Sequence, residues 1–355
     1  MQHTVILPPN PPVAKIAQKM GIKIGPIETR NRVFLAPMSG VTDEPFRTVA
    51  HTNGAGLVVS EMVASEELVR ARPDMVRRAK GAGKLTPFVI QLAGREARWM
   101  DAGAKLAQDL GADIIDINMG CPARQVTGGL SGSALMRDLN HAMTLVKATV
   151  SAAKIPVTLK MRLGWDHASL NAPELAHRAQ DAGVSLVTVH GRTRCQFYKG
   201  NADWSAIAKV REAISIPLIA NGDGRTLADV KAMLQASGAD GVMLGRAANG
   251  RPWWPGVLAE WLDPGSGIAE PSLAQEASIV AEHHAAILSH HGSKHGNRIA
   301  RKHVGWAIAR LEERGFLSII TANRWRETLL RTEDNKAITC GLRDLYAGCD
   351  LREAA

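Results

Sequence analysis

The stretch DIIDINM, residues 113–119, is a short apolar run that does not alternate regularly with polar residues. Runs of this kind are typical of strands that are buried on both faces of a parallel sheet. Others of similar length recur along the chain, several of them rich in Val and Ile. In all, eight such runs occupy residues 32–38, 56–62, 87–93, 113–119, 156–162, 185–191, 217–223 and 240–246.

Helix-like segments lie between these runs, as at residues 173–183 and 227–238, and each of these two ends in a glycine that signals a helix stop. Eight strand–helix units fill the ~250 residues of a (β/α)8 barrel. The alternative is an open doubly wound sheet, which we disfavour because no G-x-G-x-x-G follows the first run. The sequence therefore predicts an α/β fold with a TIM barrel over residues 26–262.

The pattern changes at DPGSGIAEPS, residues 263–272, where Pro and Gly interrupt it. The chain beyond this point has helical periodicity without strand alternation. We therefore expect a small C-terminal helical domain over residues 263–350. Residues 1–25 contain four closely spaced prolines and are interpreted as an N-terminal extension.

The charge balance is basic, with a formal net charge of +9 and a pI of about 9.6. Such a balance suits a polyanionic partner, although a merely soluble basic protein is the plainer alternative. No apolar run approaches the ~18 residues that a membrane span needs, and the N-terminus lacks the pattern of a signal peptide. We expect a cytoplasmic protein with no membrane association, and nothing implies a protein partner.

The four cysteines show no C-x-x-C spacing, so neither a zinc site nor an iron–sulfur cluster is expected, and no metal is predicted. Cys121 lies at the end of the fourth run and is followed by Gly128, Gly129 and Gly132. A structural cysteine is normally buried and inert, whereas a reactive one can be approached. The glycines suggest a loop that is free to close, or simply a flexible one.

Polar side chains concentrate where the predicted strands end, which is where active sites form in this fold. Any single one could be a satisfied core residue, but their joint position favours a shared ligand. Gly222, Gly224 and Gly245 with Arg246 follow the last two runs, the usual phosphate position, although the glycines could serve turns alone. The strand-end set is Pro37, Met38, Gln91, Asn118, Cys121, Lys160, Arg162, His190, Asn221, Asp223, Gly245 and Arg246.

Six motifs follow one another along the chain: LAPMSGVTDEPFR (35–47), DINMGCPARQVTGGLSGSALM (116–136), VTLKMRLGW (157–165), VTVHGRT (187–193), PLIANGD (217–223) and GVMLGRAANGRPW (241–253). Together they resemble the tRNA-dihydrouridine synthase family. The later stretch RIARKHVGW, residues 298–306, is similar to the DusB-type branch of that family. The resemblance covers nearly the whole chain from about residue 24.

This resemblance implies a barrel that binds FMN, a helical domain that binds tRNA, and NADPH as reductant. The reaction it implies is reduction of the uracil C5–C6 double bond in the tRNA D-loop, with U17 the leading site. Hydride would pass from FMN N5 to C6 and a proton from Cys121 to C5. Asn118 and Arg162 would contact the uracil. The implied FMN-binding residues are Pro37, Met38 and Ser39 near the ring, Gln91 and Lys160 at its polar edge, and His190, Asn221, Gly222, Asp223, Gly245 and Arg246 along the ribityl and phosphate parts.

The predicted grip on tRNA rests on residues 294–331, which contain nine Lys or Arg and three acidic residues, a net charge of +6. Arg298, Arg301 and Lys302 are predicted to lie off an apolar helical stripe and to face outward. The plainer alternative is a solvated charged face. Two rival functions remain open: an FMN-dependent reductase of a free pyrimidine, similar to dihydroorotate dehydrogenase, and a non-catalytic RNA binder.

Overall fold

The computed structural model describes residues 21–81 and 83–353. Most of the predicted N-terminal extension, residues 1–25, therefore lies outside the described residues. The first described elements are two short antiparallel strands, β1 (Lys23–Ile24) and β2 (Ile27–Glu28). Ile24 is fully buried in one apolar cluster with the strand residues Phe34, Ile114 and Ile219, so this hairpin packs on the inward-facing side chains of the sheet.

The main sheet contains only parallel pairs, and its order around the sheet is β4-β3-β11-β10-β9-β8-β7-β6-β5. Val59, directly after β4, bridges Val89 at the start of β6, the strand that also pairs with β5. Residues 57–64 therefore act as one interrupted strand, and the sheet closes into a barrel of eight strands. The predicted TIM barrel is confirmed. Its strands are β3 (Val33–Leu35), β4 (Leu57–Val58), β5 (Val63–Ala64), β6 (Val89–Ala93), β7 (Ile114–Met119), β8 (Val157–Arg162), β9 (Leu186–His190), β10 (Leu218–Asn221) and β11 (Gly241–Leu244).

Helices cover the outside of the barrel, and the two predicted helical segments appear as α7 (Ala172–Asp181) and α9 (Leu227–Ser237). Helix α9 begins with a reciprocal cap between Thr226 and Asp229 and ends at Gly238, whose φ of 61° suits glycine. The barrel helices are α1 (Glu44–Thr52), α2 (Ser65–Val69), α3 (Pro73–Arg78), α4 (Ala97–Asp109), α5 (Arg124–Gly128), α6 (Leu139–Ala152), α7 (Ala172–Asp181), α8 (Trp204–Ala213), α9 (Leu227–Ser237) and α10 (Trp254–Leu262), with 3-10 turns at Gly132–Arg137 and Arg246–Ala248.

Four longer helices follow: α11 (Leu273–His291), α12 (Ser293–Glu313), α13 (Ile319–Arg331) and α14 (Asn335–Glu353). They enclose an apolar cluster of their own, and the stripe predicted on α12 is buried. The separation into domains at residue 263 stays a prediction. Among the described residues, no helix has the length and apolar character that crossing a membrane requires. The buried stripe consists of Ala300, Val304, Ala307, Ile308 and Leu311.

The helical region contacts the barrel through a group of imidazoles that we call the histidine contact, formed by His283, His290, His291 and His303 against the start of α1. His291 Nε2 lies 2.9 Å from Asp43 Oδ2, and His290 Nδ1 lies 3.0 Å from Glu44 Oε2. The rings of His283 and His303 each lie 5.5 Å from the ring of Phe46. Because α1 follows the loop after β3, this contact holds the helical region beside the end of the barrel where the strands terminate.

Candidate functional site

A cavity of about 420 Å³ opens at the carboxyl ends of the barrel strands. This volume lies within the range of sites for small molecules and cofactors. Every strand-end residue predicted from the sequence lines it, as does Ser39, so the predicted clustering at one end of the barrel is observed. The lining residues predicted in advance are Pro37, Met38, Ser39, Gln91, Asn118, Cys121, Lys160, Arg162, His190, Asn221, Gly222, Asp223, Gly245 and Arg246.

Strand register explains why these side chains meet. Asn118 on β7 is the register partner of Lys160 on β8, and Arg162 at the end of β8 is the partner of His190 on β9. Asn221 on β10 is in turn the partner of His190. Asn118 and Lys160 thus share one rung of the sheet, and Arg162, His190 and Asn221 share a rung two residues further along the strands. Both rungs lie close to the carboxyl ends of the strands, so these polar groups meet near the barrel mouth.

A chain of amides connects one wall of the cavity to the loop above it. Gln91 Nε2 donates to Asp116 Oδ2 at 2.7 Å, and Asn118 Nδ2 donates to Gln91 Oε1 at 2.7 Å. Asn118 Oδ1 then accepts from the Cys121 N–H at 3.0 Å. Burial raises the pKa of Asp116, while its bonds from Gln91 and Thr158 oppose that shift. The chain fixes which way each amide points and leaves one N–H of the Gln91 amide for a ligand.

Lys160 places a cation deep in the cavity. Its Nζ donates to Asn221 Oδ1 at 3.1 Å, and Asn221 Nδ2 donates to the Met243 carbonyl at 2.6 Å. Burial lowers the pKa of Lys160 to about 8, an effect that Asp116 opposes and Arg162 reinforces. An ammonium has three N–H donors, so two remain for a ligand.

Cys121 lies just beyond the end of β7, half-buried and on the cavity wall, which makes it approachable. Its carbonyl accepts from Ser133 Oγ at 2.8 Å and from the Ser133 N–H at 3.1 Å. Gly132 adopts a φ of 60°, and a Cβ there would lie 2.9 Å from the Cys121 carbonyl oxygen. Gly132 therefore serves close packing against Cys121 rather than loop freedom, whereas Gly128 and Gly129 meet no such constraint.

Arg162 is almost completely buried and is held by carbonyl oxygens. Its Nε donates to Gly120, and its Nη1 donates to Thr193 and Phe197, all at 2.8 Å. Its guanidinium carbon also lies 5.5 Å from the ring centre of Tyr198. The planar side chain is thus fixed at the cavity wall, with Nη2 making none of these three bonds.

The far end of the cavity combines glycines with paired charges. Asp223 accepts from Arg192 at 2.5 Å, from the Ala202 N–H at 2.8 Å and from Arg246 at 3.5 Å. Burial would raise the pKa of Asp223, but these partners lower it below its usual value. The carboxylate therefore stays ionised, and the two arginines balance its charge. A Cβ on Gly245 would lie 3.6 Å from Met38 Sδ, so glycine at this position keeps space open at the cavity wall.

The cavity residues that the sequence reasoning did not single out include Arg192 and Tyr198. Arg192 stands two positions after His190, so the two side chains could share a face, but a buried arginine is rarely expected. Tyr198 is 53% exposed, and its ring centre lies 5.5 Å from the Arg162 guanidinium and 5.1 Å from that of Arg246. An aromatic residue within the basic stretch RTRCQFYKG was the available signal for it.

The three cations predicted on α12 lie outside this cavity and differ from one another. Arg298 is exposed, as expected. Arg301 and Lys302 are only partly exposed, and the Lys302 ammonium donates to the Gly40 carbonyl in the loop after β3. Burial lowers the pKa of Lys302, with Asp43 and Glu61 opposing. Lys302 therefore contacts the barrel instead of facing outward.

Comparison with known proteins matches these features to one family. The family model described as dihydrouridine synthase covers residues 34–340. A probable tRNA-dihydrouridine synthase of Rhizobium leguminosarum bv. phaseoli is 58% identical over 80% of this chain and 87% of its own length. The tRNA-dihydrouridine synthase B of Pseudomonas putida is 45% identical over 81% of this chain and 86% of its own.

A solved structure supports the fold alone. Histamine dehydrogenase from Rhizobium sp. 4-9 superposes with a TM-score of 0.51 at 15% identity, over 76% of this chain and 50% of that chain. The likeness therefore concerns the barrel and carries no argument about substrate. With the family model matching most of the sequence and relatives identical at half of their positions, this chain belongs to the dihydrouridine synthase family.

Proposed function

We propose that this chain, a flavin-dependent oxidoreductase of the dihydrouridine synthase family, is a tRNA-dihydrouridine synthase that uses FMN and NADPH in the cytoplasm. Its target is the C5–C6 double bond of a uridine in the tRNA D-loop, with U17 the leading site. The observation that carries the proposal is that Cys121, Lys160 and Arg246 line one cavity, because together they offer a proton, a buried cation and an anion contact.

The residues present fit FMN. Pro37 and Met38 give an apolar wall for a flat ring, while Gln91 and Lys160 offer the N–H donors that a flavin's polar edge accepts. Arg246, with the space that Gly245 leaves, suits a phosphate. When bound, FMN would supply the hydride that uracil C6 receives, a transfer that no side chain can perform.

Lys160 contributes charge at the ring edge. With the pKa of Lys160 at about 8, this side chain is protonated in most molecules at neutral pH. A fixed cation that faces a site where negative charge accumulates stabilises that charge without having to reorient. Asn221 holds the ammonium in place, since its own amide is anchored to the Met243 carbonyl.

Cys121 holds the proton that the reaction needs at its Sγ. Addition of hydride to C6 leaves negative charge spread over C5 and O4 of uracil, and C5 must then be protonated. A positioned thiol can act as the general acid for this step. Asn118 binds the N–H of Cys121 and Ser133 binds its carbonyl, so the backbone is fixed on both sides of the Cys121 Cα and directs the Sγ. Arg162 lies beside it to contact the uracil.

The helical region, residues 263–350, is proposed to bind the tRNA. A uridine in folded RNA must be extruded before it can enter the cavity, so the protein must hold the surrounding RNA while the base is out of its stack. Arg298 is exposed on α12, and the net charge of +6 over residues 294–331 favours phosphate contacts. The histidine contact keeps this surface beside the cavity mouth.

The proposal is tested with purified protein, FMN and NADPH, and four substrates that each carry a pyrimidine C5–C6 double bond: a D-loop-containing tRNA transcript, the same transcript with U17 changed to C, free uridine, and orotate. Dihydrouridine is mapped by mass spectrometry of nuclease fragments. We expect product in the first transcript only. Product in the U17→C transcript would move the target to another uridine, and turnover of a free pyrimidine without turnover of tRNA would support the rival reductase function. An NADH arm checks the choice of reductant.

A further inference from the structure

Arg192 is a buried arginine to which neither the sequence motifs nor the proposed mechanism gives a role. Its side chain is 2% exposed, and each of its nitrogens has a partner. Nε donates to the Lys199 carbonyl at 3.2 Å, and Nη2 donates to the Gly200 carbonyl at 2.6 Å and to Asp223 Oδ2 at 2.5 Å. Nη1 lies 3.3 Å from His190 Nε2.

The last contact determines where the His190 proton is. A guanidinium has donors only, so in a hydrogen bond with Arg192 the Nε2 of His190 must be the acceptor. A neutral imidazole then carries its proton on Nδ1. Burial lowers the pKa of His190 well below its usual value, and the cations Arg162, Lys160, Arg192 and Arg246 lower it further, so the ring stays neutral.

The ring is also held in position from a second side. Gly222 adopts a φ of 118°, and a Cβ there would lie 2.9 Å from His190 Cδ2 and 3.1 Å from its Nε2. The imidazole thus packs directly against the Gly222 backbone, and only glycine permits that approach. The charged groups that act on the ring are all cations, the ring of Tyr198 lies 6.5 Å away between centres, and the nearby carboxylate of Asp223 is already engaged by Arg192 and Arg246.

We propose that Arg192 is a positioning residue that holds His190 as the neutral tautomer with its proton on Nδ1, so that this N–H is the hydrogen-bond donor available to the cofactor. The inference rests on the proposed function for the identity of the cofactor, but not for the tautomer itself. Its consequence is a donor whose protonation does not change around neutral pH, in contrast to Lys160 on the neighbouring strand.

The experiment observes the imidazole directly. Full-length protein labelled with 15N in histidine is studied by NMR between pH 5.5 and 8, with and without FMN, and the His190 signals are identified by their loss in His190→Gln. We expect the Nδ1–H tautomer throughout this range. An Nε2–H tautomer or a charged ring in the wild-type protein would overturn the proposal, whatever the variants do.

Variants then assign the effect to Arg192. In Arg192→Met we expect His190 to move toward the Nε2–H tautomer and the Kd for FMN, measured by fluorescence titration, to rise about tenfold; Arg192→Lys, which keeps a donor, should recover part of both. Arg211→Met breaks another barrel pair, Arg211 with Asp240 at 3.0 Å, and should leave the tautomer unchanged and Kd within twofold. An unchanged tautomer in a folded Arg192→Met protein would remove Arg192 from this role. Failure of the wild-type protein to bind FMN would instead refute the proposed function, because the tautomer is read without FMN as well.

Discussion

The cavity at the barrel mouth and the histidine contact both bury titratable side chains, yet they differ in what those groups face. In the cavity, Lys160 and His190 border an open volume of about 420 Å³. In the histidine contact, His283 and His303 border a space of only about 20 Å³, and their ring centres lie 4.8 Å apart. That is room for about one water molecule.

The difference shows that buried polarity alone does not mark a site. Burial lowers the pKa of His283 to about 4 and that of His303 well below its usual value, so both rings are neutral and pack as aromatic groups. The cavity residues are anchored by neighbours and still have donors left over. A functional site thus combines anchored polar groups with open volume, and four predictions test that distinction.

The largest effect is expected at Cys121. Cys121→Ala should lower the rate of dihydrouridine formation about 10²- to 10³-fold, because it removes the proposed general acid, while the Kd for FMN stays within twofold. The rate is measured under single turnover with FMN already reduced. Cys195→Ala, at an exposed cysteine, is the matched control. Near-normal turnover in the Cys121 variant would exclude the acid role.

Lys160→Met should weaken FMN binding about tenfold to 100-fold at pH 7, since it removes the buried cation. In the wild-type protein, affinity for FMN should also fall as the pH rises through about 8, where Lys160 loses its proton, and the variant should lack this component. Fluorescence titration from pH 6.5 to 9.5 measures both. Lys147→Met, on the exposed face of α6, should bind like wild type. Equal affinity in both variants would contradict the assigned charge.

The histidine contact should make stability pH-dependent without affecting the chemistry. The pKa of His283 is about 4 in the folded protein and near its ordinary 6.5 when unfolded, so the unfolded state binds more protons between these values. The free energy of unfolding should therefore be greatest above pH 6.5. It should decrease as the pH falls below 6.5, by up to about 1.4 kcal/mol per pH unit for each such histidine.

Urea unfolding at pH 7.5 and pH 5.5 measures that slope. His283→Gln should make it shallower, whereas His177→Gln, at an exposed position on α7, should leave it unchanged. Identical slopes for wild type and His283→Gln would show that His283 is not held neutral by burial. The histidine contact would then no longer differ from the cavity in the way described above.

The smallest effect is expected on α12. Arg298→Ala should weaken tRNA binding about twofold to fourfold at low salt and lower the slope of log Kd against log salt by about 1, because one phosphate contact is lost. Filter binding between 50 and 200 mM salt measures it, with the exposed Lys231 of α9 changed to Ala as control. Matching salt slopes for the two variants would show that Arg298 on α12 does not contact the RNA.

The barrel was predictable because strands buried on both faces appear as continuous apolar runs, and each of the eight runs contains a strand. The interruption of the second barrel strand was not predictable, since the run GLVVSEM has the sequence pattern of a strand throughout. There Ser60 and Glu61 are occupied with longer-range partners: Ser60 Oγ accepts from the Gln91 N–H at 2.9 Å, and Glu61 accepts from the Gly40 N–H at 2.6 Å. Such pairings exist only once the sheet has closed.

The site was predictable where its residues end strands, as with Asn118, Lys160 and His190. Arg192 was missed because its burial depends on the carbonyls of residues 199 and 200, which a folded loop supplies. The direction of Lys302 was missed for a related reason. Helical periodicity separates apolar from polar faces, but it does not say which polar side chain will meet another part of the fold.

Both backbone polar groups of Gly40, in the loop after β3, form hydrogen bonds with other parts of the fold. Its N–H donates to Glu61 of the interrupted second strand, and its carbonyl accepts from the Lys302 ammonium on α12. The two peptide groups that flank the Gly40 Cα are therefore held, one by the barrel and the other by the helices, only two residues from Met38 on the cavity wall. A displacement of α12 relative to the barrel would therefore strain or break the hydrogen bond from Lys302 to Gly40, and the strained backbone would be two residues from Met38 in the cavity lining.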